Sequence, residues 1–172
     1  MKNTIPNRIH IIGSVGSGKT TLARKLSTQY NIPYFELDNV VWERHPNGDR
    51  RRSEEERDHY LETIVEEKSW IIEGAHSLQW VEKSFKQADV IIFLDPPNPV
   101  RLFRITKRYI KQLAGKEAAH YTPTFAIFKK MFKWNKAFEK EAKPRIVSML
   151  QQKNSIVLKD SREIERYFHQ EV

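Results

Sequence analysis

The stretch GSVGSGKT, residues 13–20, sets three glycines ahead of a lysine and a threonine in the pattern G-x-x-x-x-G-K-[ST]. That spacing is suited to gripping phosphate, because glycines let successive backbone N–H groups converge on an anion at torsions and distances that a Cβ would obstruct. The apolar run RIHIIG precedes the loop, and Leu22 and Leu26 follow it four residues apart, so the loop is expected to join a strand to a helix. The positive end of that helix adds to the attraction. Gly13, Ser14, Gly16, Ser17, Gly18, Lys19, Thr20 and Thr21 are therefore expected to hold the phosphates of ATP. Lys19 would supply a point charge to the β/γ-phosphates, and the Thr20 hydroxyl would be a ligand for Mg2+.

A metal held there needs a carboxylate to support its water shell, and two strand ends offer one: Glu73 in WIIEG and Asp95 in IIFLDPP. Each could instead cap a helix or begin a turn, since Asp-Pro starts turns well, and the sequence leaves the choice between them open. Asp38, read as the end of a second strand in FELDNVVW, is a third carboxylate at the same edge. It would orient or deprotonate an acceptor hydroxyl; the alternative is a solvated cap of the next helix. Arg101, Arg104 and Arg108 fall on nearly one face of a helix leaving the fourth strand. Arginine forks suit phosphate oxygens, so Arg104 and Arg108 could reach over a triphosphate, the alternative being a solvated basic face. Lys19, Asp38, Arg104 and Arg108 form the expected catalytic set, with Thr20, Glu73 and Asp95 on the metal side. Arg145 is a further candidate of the same kind, and Arg50–Arg52 could clamp an anionic substrate or lie in a solvated loop.

Strands and helices in alternation must position these groups. Apolar runs mark strands at 8–13, 32–38, 69–74, 89–97 and 155–160; those at 8–13, 69–74 and 89–97 are ended by glycine or proline, and most are continuous enough to be covered on both faces. A helix over 53–68 opens with Ser53 three residues before Glu56, a capping-box spacing, and carries Tyr60, Leu61, Ile64 and Val65 on one face. The expected fold class is α/β: a three-layer sandwich with a five-stranded parallel sheet and the ligand beyond the carboxyl ends of the strands. The stretch Val100–Lys153 offers no strand and reads as two basic helices around a polar hinge. Leu102, Ile105, Tyr109 and Leu113 form one stripe; Phe125, Phe128, Met131, Phe132 and Phe138 form another. Helical spacing assigns most of the second stripe to core, although aromatics among lysines also build stacking platforms for single-stranded nucleic acid.

The chain has 172 residues, one domain's worth, and no apolar run approaches the roughly 18–20 residues needed to span a bilayer. Met1–Ile12 has neither the length nor the small-residue exit of a signal peptide, so a soluble cytoplasmic protein without a membrane partner is expected. The absence of cysteine excludes a disulfide framework, thiolate catalysis and cysteine zinc sites, and the six histidines show no paired metal-ligand spacing. The formal charge of +8 is uneven: residues 101–145 hold 13 Lys and Arg against three acids, a net of +10, so the remainder is about −2. Nucleotide phosphates, a nucleic-acid backbone or an acidic membrane face could each meet such a segment.

The motifs GSVGSGKTTLARKLS, IPYFELDNVVW, WIIEGAH and DVIIFLDPP followed by RLFRITKR resemble the adenylate kinase and shikimate kinase branch of P-loop small-molecule kinases. Together with GDRRRSEEERDHYL and FKKMFKWN they are most similar to the adenylate-kinase-related proteins named as DNA topology modulation proteins, over almost the full length. The resemblance implies a 2-3-1-4-5 sheet, ATP with Mg2+, and a mobile lid carrying arginines. On this sequence it assigns ATP to Gly13 through Thr21, metal to Thr20, the lid side to Arg104 and Arg108, and the lid to about 109–140 within a single domain, 1–172. Nucleoside monophosphate kinases of this branch carry Asp-Gly-Phe-Pro-Arg after the third strand. Glu73-Gly74-Ala75-His76-Ser77 stands here, with a longer carboxylate and no substrate arginine. The expected function is a Mg·ATP-dependent phosphotransferase acting on a small anionic or hydroxylated acceptor near Asp38 and Trp42. The alternative is a nucleotide-dependent DNA-binding, topology-modulating regulatory protein whose +10 segment meets phosphates.

Overall fold

Strand β1 (Arg8–Ile12) runs into the glycine loop and helix α1 (Lys19–Tyr30), as expected. The computed structural model describes residues 5–117 and 123–168, so five residues of the expected insert, 118–122, lie outside the described residues. After α1 come β2 (Tyr34–Glu36), α2 (Leu37–Val41), β3 (Trp42–Glu43), β4 (Arg50–Arg51) and α3 (Glu54–Val65). Then follow β5 (Trp70–Gly74), α4 (Glu82–Gln87), β6 (Val90–Leu94), α5 (Asn98–Leu113), α6 (Phe125–Ala137), α7 (Lys143–Leu150) and β7 (Ser155–Leu158).

The main sheet is parallel, ordered β2-β5-β1-β6-β7, which is 2-3-1-4-5 when only its own five strands are counted. Its central strands are apolar on both sides because both faces are covered. Leu22, Leu26 and Ile164 close one face, while Leu61, Ile64, Phe85, Phe138 and Ile146 close the other. The capping box opens α3 as read: Ser53 Oγ accepts from the Glu56 amide at 3.1 Å, and the Glu56 carboxylate accepts from the Ser53 amide at 2.8 Å.

Three local readings change. The second strand ends at Glu36, and Asp38 lies in the first turn of the short helix α2, where its charge favours the helix start. Arg50 and Arg51 are not loop residues; they pair with Glu43 and Trp42 in an antiparallel hairpin. The stripe on α5 fades at its end, since Leu113 is exposed while Gln112 is buried. On α6, Met131 is buried and Phe128 and Phe132 half-buried, but Phe125 faces solvent. A single π-helical turn, Phe138–Ala142, joins α6 to α7, and Phe138, Ile146 and Leu150 all reach the core.

His10 stands out on the central strand. It is fully buried, stacks on Phe85 with ring centroids 3.9 Å apart, and neither ring nitrogen has a hydrogen-bond partner. Burial alone lowers its pKa to about 3. The unfolded chain therefore takes up a proton below about pH 6.5 that the folded chain refuses until about pH 3, so stability falls as pH drops through that window. The expected loss at pH 5 is about 2 kcal/mol. Denaturant melts of wild type and His10→Leu at pH 7 and pH 5 check it: the variant should lose markedly less, and equal losses would dismiss the histidine as the cause.

Candidate active site

The loop between β1 and α1 is built around close approaches. A Cβ on Gly13 would lie 2.5 Å from the Leu94 carbonyl oxygen, and Gly16 and Gly18 have φ of +75° and +99°, a region that side chains disfavour. Gly18 also starts α1 without any side-chain cap, so no cap side chain takes up the amides of its first turn. The Ser17 hydroxyl is buried in this loop with no hydrogen-bond partner, and the Lys19 ammonium donates to the Ser14 carbonyl at 3.0 Å.

Thr20, one residue into the helix, donates from Oγ1 to Glu73 Oε1 at 2.6 Å. Glu73 reaches it from the end of β5, the strand paired with β1 in the register Ile11 to Glu73. Burial pushes the Glu73 carboxyl above its ordinary value; the Lys19 charge and the Thr20 hydrogen bond pull against this, and Glu36 and Asp38 add to the push. Glu36 is the registered neighbour of Glu73 on β2, so acidic groups converge at this end of the sheet.

Asp95 has a different setting. Its carboxylate is buried and contacted by Arg101 at 3.3 Å, Lys143 at 3.0 Å and Lys159 at 2.9 Å. Arg101, 1% exposed, also bonds Glu139 in the π turn. Burial disfavours the charged form of Asp95, but the hydrogen bonds from Lys159 and Lys143 outweigh it and hold the carboxyl below its usual range. The two carboxylates left open by sequence are thus separated: Glu73 bonds the threonine of the loop, and Asp95 ties β6 to α5, α7 and the segment after β7.

Helix α5 lies on the loop. The Arg101 carbonyl would be 2.8 Å from a Cβ on Gly16, and Arg104 Nη1 donates to the Ser17 carbonyl at 2.8 Å. Arg108, one turn on, points at α6, with Nη2 3.5 Å from the Met131 sulfur and Nε buried without a partner. Arg145 is exposed on α7. Asp38 is exposed at the mouth of the site, 3.3 Å from His76 Nε2. The hydrogen bond from His76 holds its carboxyl below the usual value, with smaller help from Lys19 and Arg44.

Two contributors were not among the expected site residues. Asn135 is buried on α6; its Oδ1 accepts from Ser14 Oγ at 2.9 Å and its Nδ2 donates to Asn98 Oδ1 at 2.7 Å. A lone amide in phase with Phe128, Met131 and Phe138 was the available signal for it. His76 lies two residues past the Glu73-Gly74 strand end, which was the signal there. A Cβ on Gly74 would lie 2.7 Å from the Leu37 side chain, so this strand exit packs hard against the start of α2 and brings His76 to Asp38.

A family model described as an AAA domain matches residues 9–121, from β1 past the end of α5. The chain belongs to that AAA-domain family. The matched span takes in the phosphate loop, Asp38, Glu73, Asp95 and the α5 arginines. This AAA-domain chain has the three-layer fold of P-loop kinases. Shikimate kinase from Acinetobacter baumannii, solved with shikimate, superimposes with a TM-score of 0.59 at 15% identity, covering 95% of this chain and 90% of that one. Shikimate kinase from Bacteroides thetaiotaomicron gives 0.54 at 20% identity, covering 95% and 94%. At these identities the likeness is one of fold. No curated protein sequence matches the chain. Among the described residues no helix is long and apolar enough to cross a membrane.

Proposed function

We propose that this AAA-domain protein is a phosphotransferase that takes the γ-phosphoryl of ATP, with Mg2+, to a small acceptor bound beside Asp38. The observation that carries the reading is the Thr20–Glu73 hydrogen bond at 2.6 Å, set beside a glycine loop that holds an unpartnered buried hydroxyl at Ser17. A hydroxyl and a carboxylate are hard oxygen donors, which fits Mg2+ held largely by water and phosphate. No group of three or more His, Cys, Asp or Glu among the described residues forms an all-protein metal cage, and a phosphate-bound Mg2+ does not require one. Bound Mg2+ would neutralise charge on the phosphates.

The loop amides and Lys19 would cradle the β/γ-phosphates of the nucleotide. Arg104, which bonds the Ser17 carbonyl of the same loop, would turn toward that anion, and Arg108 stands one turn behind it. Asp38 would accept the hydrogen bond of the acceptor hydroxyl. Transfer by such a site is mainly alignment and charge neutralisation. Residues 109–140 would close over the nucleotide as a lid within the single domain, α6 being already in touch with the loop through Asn135.

Glu73→Gln tests the metal half of the reading. It keeps the shape and the Thr20 partner but removes the charge, so the Mg2+ concentration for half-maximal ATP turnover should rise by at least about tenfold. An unchanged Mg2+ requirement would remove Glu73 from the metal site. A second reading, a nucleotide-dependent DNA-binding regulator, is favoured by α6, where Lys129, Lys130, Lys133 and Lys136 are all exposed beside the exposed ring of Trp134. Its mark would be DNA binding that weakens steeply with salt.

A further inference from the structure

We infer that Asn135 is a positioning residue of the phosphate loop: through Ser14 it fixes the carbonyl on which the Lys19 ammonium rests, and so sets the affinity of the loop for a nucleoside triphosphate. The inference rests on the phosphotransferase reading above for its ligand, ATP in the Gly13–Thr20 loop, and not for the acceptor.

Asn135 stands on the core-facing stripe of α6, between the buried side chains of Met131 and Phe138, and is itself 3% exposed. A residue that only packed there would be apolar, because an amide taken out of water costs free energy unless its groups find partners. Asn135 finds two, and both are side chains of other elements. Its Oδ1 accepts from Ser14 Oγ at 2.9 Å, across 121 residues of sequence, and its Nδ2 donates to Asn98 Oδ1 at 2.7 Å. Asn98 is the first residue of α5 and is exposed, so water can serve its oxygen in place of the amide. Ser14 has no such recourse. It is fully buried, and Asn135 is the acceptor its hydroxyl has among the described residues.

Ser14 is held from two sides. Its hydroxyl reaches out of the loop to α6, while its carbonyl accepts from the Lys19 ammonium at 3.0 Å and from the Ser17 amide at 3.2 Å. The residue before it is Gly13, which has no side chain to brace the turn. The bond to Asn135 therefore opposes any rotation of Ser14 that would carry the carbonyl, and the ammonium resting on it, away from their places. A loop fixed before its ligand arrives loses less of the binding energy to ordering itself.

The test titrates Mg·ATP into the full chain and follows the thermal melt of each variant. Asn135→Leu keeps the size of the side chain and removes both bonds; Ser14→Ala removes the shared bond from the loop side. Each should weaken ATP binding by about tenfold, the scale of one buried hydrogen bond. Combining the two separates positioning from stability. With no hydroxyl left unpaired, the Ser14→Ala/Asn135→Leu double should melt above Asn135→Leu, yet bind ATP no better than either single variant. Wild-type affinity in folded Asn135→Leu would overturn the inference, and so would an affinity that returns in the double together with its melting temperature. If Asn135→Leu does not fold, Ser14→Ala decides: wild-type affinity there overturns the inference, and a tenfold loss that persists in the double supports it. A wild-type chain that does not bind ATP takes the phosphotransferase reading down as well. Where ATP binds and weakens as expected but no acceptor draws ADP release, that reading falls and the role of Asn135 stands.

Discussion

Replacing Lys19 with alanine is expected to cut ATP turnover by at least about 100-fold, the scale of losing one preorganised charge contact to the transition state. The fold should stand. Lys19 is the first residue of α1, its ammonium bonds only the Ser14 carbonyl, and the helix is anchored through Leu22, Ala23 and Leu26, so stability should move by about 0.5 kcal/mol or less. ADP release at saturating ATP, with a thermal melt of the same preparation, checks both halves. Turnover at the wild-type rate from a folded variant would sink the phosphotransferase reading.

The largest expected effect on stability comes from Asp95→Ala. Arg101 is 1% exposed and has two carboxylate partners, Asp95 and Glu139; Lys143 and Lys159 share Asp95. Without Asp95, Arg101 and Lys143 share the one remaining acid, Glu139, Lys159 loses its partner, and a buried guanidinium left half-paired costs about 3 kcal/mol or more. A domain of this size should then melt roughly 6–12 °C lower. Because the native carboxyl titrates below its ordinary value, its contribution is present above the unfolded pKa and fades as pH falls through the folded one. Asp95→Asn should therefore flatten the acid limb of the stability profile. A loss under about 1 kcal/mol for the alanine variant would mean that the cations relax into solvent and the network is dispensable.

The phosphate loop was legible because its chemistry is local: three glycines, a lysine and a threonine within eight residues, between a strand and a helix that announce themselves. The five-stranded alternation and the Ser53 capping box were legible for the same reason. Asp95 was not. It ends a strand just as Glu73 does, and what distinguishes them are Lys143 and Lys159, 48 and 64 residues further along the chain. The helical turn that carries Asp38 was hidden inside an apolar run that reads as strand, because it is Leu37 packing against Gly74 that ends the strand early. The β3–β4 hairpin escaped although Pro46-Asn47-Gly48 is a turn signal, because its strands, Trp42–Glu43 and Arg50–Arg51, are two residues each and too short to show an alternating pattern. Leu113 and Phe125 had the right phase for burial, but no element described here covers them.

The π turn between α6 and α7 has a consequence for phase. In an unbroken α-helix Ile146 would lie about 80° around the axis from Phe138; absorbing one extra residue into a wide turn brings the two to within about 20°. Two helices that would otherwise drift apart in face thus present one continuous apolar edge to the sheet, and both residues share the same core cluster. Glu139 lies within that wide turn, so the same extra residue that resets the phase also delivers the second carboxylate to Arg101. Deleting one residue there would restore a regular helix with Ile146 still within about 20° of Phe138, and what would be lost is the wide turn that carries Glu139 to Arg101.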